Sequence, residues 1–342
     1  MTDELEISTD GALGLIALNR PQAINALSRA MIEGITGALL GWRDDPAIGA
    51  AMFSGNGAKG FCAGGDVRAA RALVLAGRAA EADAYFAAEY RMNGLIARYP
   101  KPLVALSHGI TMGGGIGIAG HCRFRITRSG ARFAMPESAI GFFADVGVNA
   151  ILARAPLNRA LLFLLSGLSV GPADALALGL ADAVIAEDRI GTLRDRVARA
   201  AGEADPTAAI GRLLEAETVE AGDASFALLA DQLPSDAPAT AAEFVARVAD
   251  VPALVELSAL LASRSPSALS ATFCAQLEAR RQMDVAATLG ADLRLARLMA
   301  RGPDFAEGVR AVLVDKDQAP KWQPARLAEV DVAVLRRALE GP

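Results

Sequence analysis

An α/β fold with a separate helical portion is predicted by two observations. Up to about residue 201, short β-like runs alternate with helical periods and glycine-rich turns. Beyond it the texture changes to a segment rich in Ala, Asp, Glu and Pro over 203–252, followed by helical periodicity over 251–298. With 342 residues, 53% of them hydrophobic, the chain is long and apolar enough for a sizeable core, and its net charge of -5 is too small for a solvated coil. We expect residues 1–201 to form the α/β core and 202–342 a helical C-terminal lobe.

In chain order, residues 14–18 read as a strand, and Ser28 caps a helix running to about Trp42. A second apolar run at 48–53 enters the turn-rich stretch 54–60, and 66–98 is mostly helical. Residues 103–106 form a buried strand, followed by Gly113, Gly114, Gly115 and Gly117. In the second part, 232–239 is an exposed connection. Residues 251–298 are helical, with Arg280, Arg281, Arg294 and Arg297 on solvated faces.

Composition excludes several classes. Near balance of 34 basic and 39 acidic residues provides no broad positive field for nucleic acid. No run of 18 uncharged apolar residues accounts for the mean hydropathy of +0.31, so a membrane partner is not expected. Residues 1–11 carry four acids and no base, unlike a secretory or transit segment. Cys62, Cys122 and Cys274 are too few and too dispersed for a disulfide framework or a zinc spacing; they suggest a reducing cytoplasm. His108 and His121 alone build no metal site. Two GxGxxG matches, from Gly55 and from Gly115, are weak in a chain with 33 glycines; the second follows a strand and has Glu137 about 20 residues on, where a ribose-binding acid would stand, but it sits in mid-chain rather than opening the first βαβ unit.

Three features carry chemistry by occurring in one order. Phe61-Cys62-Ala63-Gly64-Gly65-Asp66 and His108 through Gly115 each pass from a strand through glycines into a helix start. Glycine lets a backbone N–H approach a ligand at the positive end of a helix, so two such turns are suited to hold one oxygen between two amides. Either turn alone reads first as a tight strand-to-helix connection, which glycine also serves. The third feature places Glu137 and Asp145 in the apolar stretch 133–147, where desolvation raises carboxyl pKa values and two acids divide base, acid or nucleophile roles. Asp145 also reads as a helix cap.

Together with Leu18-Asn19-Arg20-Pro21 and Asn25-Ala26-Leu27, these spans resemble, in order and spacing, the crotonase (enoyl-CoA hydratase/isomerase) superfamily. The stretch from Asp304 to Trp322 is similar to the C-terminal signature of its 3-hydroxyisobutyryl-CoA hydrolase branch. The resemblance implies a crotonase-type spiral of ββα turns followed by a helical C-terminal lobe. It also implies hydrolysis of a short 3-hydroxyacyl-CoA thioester, with 3-hydroxyisobutyryl-CoA the leading substrate. Backbone N–H groups of Gly65 and Gly114 match the oxyanion donors, Glu137 and Asp145 the catalytic acids, and Glu89 a substrate-contacting position. Glu137 then either attacks the carbonyl or activates water, with Asp145 orienting water or the substrate hydroxyl. Coenzyme A arrives as part of the substrate and no separate cofactor is implied; a homo-oligomer is left open.

Hydratases of this family carry a first catalytic Glu two residues after the triple glycine, where this chain has Gly117. The alternatives are an enoyl-CoA hydratase or isomerase using Glu137 alone, or a catalytically silent CoA-binding member. Where the hydrolases read Phe-Pro-Asp-Val-Gly-Gly-Gly, this chain has Ala144 before Asp145, and Val148 and Asn149 after Gly147, side chains that narrow or re-aim an acyl site. Lys59, Lys316 and Lys321 are candidates for the CoA phosphates, or surface lysines without that role.

Overall fold

The computed structural model describes residues 3–341. Its chain divides into two compact units, each discontinuous in sequence: Met1–Gly65, Arg91–Phe133 and Val170–Ala224 form the first, and Asp66–Tyr90, Ala134–Ser169 and Ser225–Pro342 the second. Sequence texture had suggested one division, after residue 201.

The first unit is built on a sheet of six strands. β1 (Leu5–Asp10) and β2 (Leu13–Leu18) form an antiparallel hairpin, turned at Gly11 with φ 57°. β2 then pairs in parallel with β3 (Ala50–Gly55), which pairs with β5 (Leu103–Ser107), as does β5 with β7 (Phe124–Arg128) and β7 with β9 (Ala183–Ile185). Three short strands, β4 (Gly60–Cys62), β6 (Ile110–Met112) and β8 (Arg132–Ala134), make a second sheet. The chain therefore visits the large sheet, then the small sheet, then a helix, three times. Helices Val67–Leu75 and Gly114–Ala119 and the 3-10 helix Pro136–Ile140 follow β4, β6 and β8 in turn. Gly65, Gly114 and Glu137 occupy corresponding places in these repeats, each just past a small-sheet strand.

Parallel strands buried on both faces need apolar residues throughout. Leu13, Ala50, Met52, Val104, Ile126 and Ile185 supply them, covered by Leu193 and Val197 of the helix Glu187–Ala201 and by Ile210 and Leu214 of Pro206–Glu217. That second helix lies beyond residue 201 yet packs in the first unit's core. Ser28 Oγ accepts from Met31 N–H at 3.2 Å, capping the helix Arg29–Arg43 as expected.

In the second unit the C-terminal helices centre on Pro266–Gln282, buried nearly all round. Met283, with φ 52°, separates it from Val285–Arg301, capped by Asp284. Two arginines expected on solvated faces turn inward instead. Arg280 donates to the carbonyls of Leu152 and Ala155, and Arg294 to those of Ala338 and Leu339. Helical periodicity cannot anticipate this, because unsatisfied carbonyls at other helix ends draw the guanidinium groups. Arg281 does remain outside, paired with Glu278. Among the described residues, no helix is long and apolar enough to cross a membrane.

Candidate active site

In the first unit, two glycine turns lie against each other. After β4, Gly64 takes φ 107°, a conformation glycine alone adopts freely. After β6, Gly113 (φ 50°) opens the buried helix Gly114–Ala119. A Cβ placed on Gly64 would lie 3.3 Å from Met112 O and 3.4 Å from Gly114 N, so the turns are adjacent at the second amide. Neither the Gly65 nor the Gly114 N–H has a hydrogen-bond acceptor among the described residues.

The glycines of the two GxGxxG matches serve this packing. A Cβ on Gly115 would stand 2.5 Å from Cys62 O, and one on Gly60 would stand 2.4 Å from Ile110 N. Both are glycine because another backbone occupies the space. Their explanation is the close approach of two backbone segments of this one chain, with no pyrophosphate required.

Asn25 ties the loop beneath the first turn. Fully buried with φ 56°, it accepts from Arg20 N–H and donates through Nδ2 to the carbonyls of Asn56, Gly60 and Phe61. Asn25→Ala strands these buried groups, and we expect a loss of about 1–3 kcal/mol, read from the midpoint of urea unfolding.

Carboxyls gather in the second unit. Pro136 opens the 3-10 helix that carries Glu137, and Gly141, with φ 69°, closes it. Glu89 and Tyr90 lie on the helix Ala79–Ala97, Asp145 in the turn before the helix Val148–Leu152, and Asp292 on Val285–Arg301. Relative exposures are 2% for Glu89, 8% for Glu137, 6% for Asp145 and 0% for Asp292. Tyr90 Oη donates to Asp145 Oδ2 at 2.6 Å. Glu137 Oε2, Glu89 Oε1 and Asp292 Oδ1 have no hydrogen-bond partner among the described residues.

Four acids buried together cannot all ionise at neutral pH. Burial, then the Asp145 charge, pushes Glu89 up to about 8 and Glu137 well above the usual carboxyl range. Asp145 is raised by burial to about 6, held down from higher by the Tyr90 hydroxyl and its own backbone environment. Asp292 is driven well up by burial and by Asp145. Asp145 therefore gives up its proton before Glu89. Its capping role is not realised: Gly147 is the N-cap residue of the following helix, and the Asp145 carboxylate is turned to Tyr90.

The C-terminal signature braces Glu137. A Cβ on Gly141 would lie 2.1 Å from Asp304 O, and one on Gly308 would lie 2.3 Å from the Ile140 carbonyl carbon. Asp304 accepts from Ser265 Oγ at 2.6 Å and Gln323 N–H at 2.7 Å. Phe142 stacks on Phe86 at 5.3 Å and meets Phe305 at the same distance.

Of the two substituted glycine positions, Val148 is fully buried, and Asn149 donates through Nδ2 to Ala144 O at 2.6 Å. Lys59, Lys316 and Lys321 are exposed. Arg310 pairs with Glu307, Asp315 and Asp317 around Lys316. His108 Nε2 contacts Gly57 O at 2.8 Å, and His121 is buried. Tyr90 and Asp292 were not singled out from sequence. The available signals were a tyrosine beside Glu89 and an acid in the otherwise apolar stripe Leu289, Ala291, Leu295, Ala296.

The family description "Enoyl-CoA hydratase/isomerase" matches residues 13–339. The chain belongs to the enoyl-CoA hydratase/isomerase family. Among curated members it is 37% identical over 336 residues to the "3-hydroxyisobutyryl-CoA hydrolase, mitochondrial" of Xenopus tropicalis, covering 96% of this chain and 86% of that protein. It is 35% identical over 334 residues to the protein of the same name from Homo sapiens, again covering 96% and 86%. Among solved members, a carnitinyl-CoA dehydratase from Mycobacterium thermoresistibile superposes with a TM-score of 0.89 at 35% identity, over 100% of this chain and 97% of that one. An enoyl-CoA hydratase from Rhodobacter sphaeroides gives 0.89 at 32%, over 99% and 97%. The predicted spiral with a helical C-terminal region is the fold of this family.

One expectation is corrected. The curated hydrolase relatives are described as mitochondrial, which overturns the cytoplasmic reading. Three buried free cysteines distinguish reducing from oxidising surroundings but not one reducing compartment from another.

Proposed function

We propose that this chain hydrolyses the thioester of a short 3-hydroxyacyl-CoA, with 3-hydroxyisobutyryl-CoA the leading substrate and 3-hydroxyisobutyrate and CoA the products. The observation that carries the reading is the buried Glu137 and Asp145 pair in a chain that has Gly117 where a hydratase places its first acid. The names of the curated relatives support it.

In this reading the amides of Gly65 and Gly114 receive the carbonyl oxygen as it gains charge, each donor contributing about 2.7–4 kcal/mol of transition-state stabilisation. Glu137 attacks the carbonyl carbon or takes a proton from the attacking water. To do either it must be the anion, so the reactive form is the one in which the proton shared by the pair resides on Asp145. Asp145 then orients the water or the substrate hydroxyl, and Glu89 contacts that hydroxyl. Lys59, Lys316 and Lys321 are assigned to the phosphates of CoA, and no further cofactor is required.

The deciding experiment presents 3-hydroxyisobutyryl-CoA, other 3-hydroxyacyl-CoAs and crotonyl-CoA and measures free thiol. Release from the 3-hydroxyacyl substrates is expected, rising with pH through about 6 as Asp145 and its partner lose their first proton. Hydration of crotonyl-CoA with no thiol from any substrate would overturn the reading. CoA binding without turnover, unchanged in Glu137→Ala, would indicate a silent binding protein. Oxygen from labelled water appearing in Glu137 during a single turnover identifies nucleophilic attack; an unlabelled side chain identifies general-base action.

A further inference from the structure

Three side chains hold the turn that carries Asp145. Thr272 Oγ1 accepts from Ala144 N–H at 3.1 Å, Asn149 Nδ2 donates to Ala144 O at 2.6 Å, and Asp292 Oδ2 accepts from Gly147 N–H at 2.8 Å. The turn needs holding because Val146 (φ 54°) and Gly147 (φ 74°) are successive left-handed residues. A β-branched side chain there is strained and persists only where its surroundings over-determine it.

Asp292 is the unexpected member of this set. It is completely buried, its Oδ1 lacks a partner, and the buried positions beside it are Thr288, Leu289, Ala291, Leu295 and Ala296. An ionised group in such surroundings is costly, and asparagine would accept the same hydrogen bond.

We propose that Asp292 is a positioning residue for Asp145, fixing the Val146–Gly147 turn so that the Asp145 carboxylate meets the Tyr90 hydroxyl. The inference rests on the hydrolase reading, in which Asp145 works beside Glu137. Burial, and then the Asp145 charge, both favour the protonated form of Asp292. Its helix packs against Val67–Leu75, Val148–Leu152, Pro266–Gln282, Pro303–Val309 and Val332–Glu340. Of the arginines on these elements, Arg68 donates to Leu313 O, Arg71 to Ala306 O and Arg280 to Ala155 O, Arg281 pairs with Glu278, and Arg336 meets Cys274. Asp145 and the Tyr90 hydroxyl are the titratable groups that act on Asp292, and Asp145 acts in turn on Glu89 and Glu137.

The test compares Asp292→Asn with Asp292→Ala in the full chain. The asparagine keeps an acceptor for Gly147 N–H without a charge; kcat and KM are expected within about three-fold of the parent, with the acid limb of the pH profile unmoved. Alanine releases the turn, and kcat is expected to fall roughly 10- to 100-fold with KM within about three-fold, the scale of a misplaced catalytic group. Full activity in the alanine variant overturns the proposal, as does equal damage in both. An acid limb moved downward by asparagine shows that Asp292 was charged and overturns it too. If the alanine variant does not fold, the asparagine variant's acid limb decides alone. Failure of the hydrolase reading is separate: the parent chain then releases no thiol. The Asp145 carboxyl band, assigned in infrared spectra with Asp145→Asn, reports without substrate; its titration is expected to shift in the alanine variant and to stay in place in the asparagine one.

Discussion

Glu137→Gln will reduce thioester hydrolysis by roughly 100- to 10,000-fold, the range that a positioned general base or nucleophile contributes, while binding of CoA persists. Glutamine preserves the volume of the side chain and its place in the 3-10 helix Pro136–Ile140, so the loss reports chemistry. The same substitution changes how stability depends on pH. Glu89, Glu137, Asp145 and Asp292 all have folded-state pKa values raised by burial, so at these four sites the folded chain binds more protons than the unfolded one. Their stabilising contribution is present below the ordinary carboxyl range and is lost as pH rises through about 6 for Asp145 and about 8 for Glu89. The melting temperature of the parent chain should therefore decline across that interval. In Glu137→Gln the decline should be shallower, because one acid that must lose its proton in a buried setting is gone. Retained hydrolysis in a folded Glu137→Gln variant would remove Glu137 from the mechanism.

What could be read from sequence was local. Gly64, Gly65 and Gly113 to Gly115 are adjacent in the chain, and their glycine content announces a close backbone approach. Glu137 and Asp145 stand out as acids in an apolar stretch. Ser28 follows from the N-cap rule, whereas the breaks at Gly77 and Met283, inside stretches read as helical over 66–98 and 251–298, were not anticipated. The residues that escaped are those whose roles are set by distant parts of the chain. Tyr90 meets a carboxylate 55 positions away, and Asp292 meets an amide 145 positions away. The helical period places Asp292 in a buried stripe, but nothing in it names the distant partner that the carboxyl meets. Arg280 and Arg294 were misjudged for the same reason. The expected single division at residue 201 followed texture, whereas the compact units follow contacts: the helix Pro206–Glu217 belongs with the sheet, and 134–169 with the C-terminal helices. The C-terminal signature was legible as a resemblance but not as a brace, because Gly141 and Gly308 are glycine for the sake of neighbours far along the chain.

Gly64→Ala is the second substitution with a large expected effect, and it tests the amide pair directly. At φ 107° an alanine is strained, at a cost of about 1–3 kcal/mol. Its methyl would stand 3.4 Å from Gly114 N, beside the amide to which the proposed function assigns the acyl oxygen. Loss of one oxyanion donor lowers kcat about 100- to 1,000-fold, and because the interaction strengthens as charge develops, KM should change little. Strain alone would lower the unfolding midpoint and leave kcat at temperatures well below it nearly intact, so the two contributions separate in one set of measurements. Gly37→Ala is the control. Gly37 lies inside the helix Arg29–Arg43, with nothing within 4 Å of the added carbon, so alanine there should stabilise by up to about 1 kcal/mol and leave turnover unchanged. A Gly64→Ala protein that loses stability but keeps its kcat would show that the two turns are packing devices only, and that the carbonyl oxygen is held elsewhere.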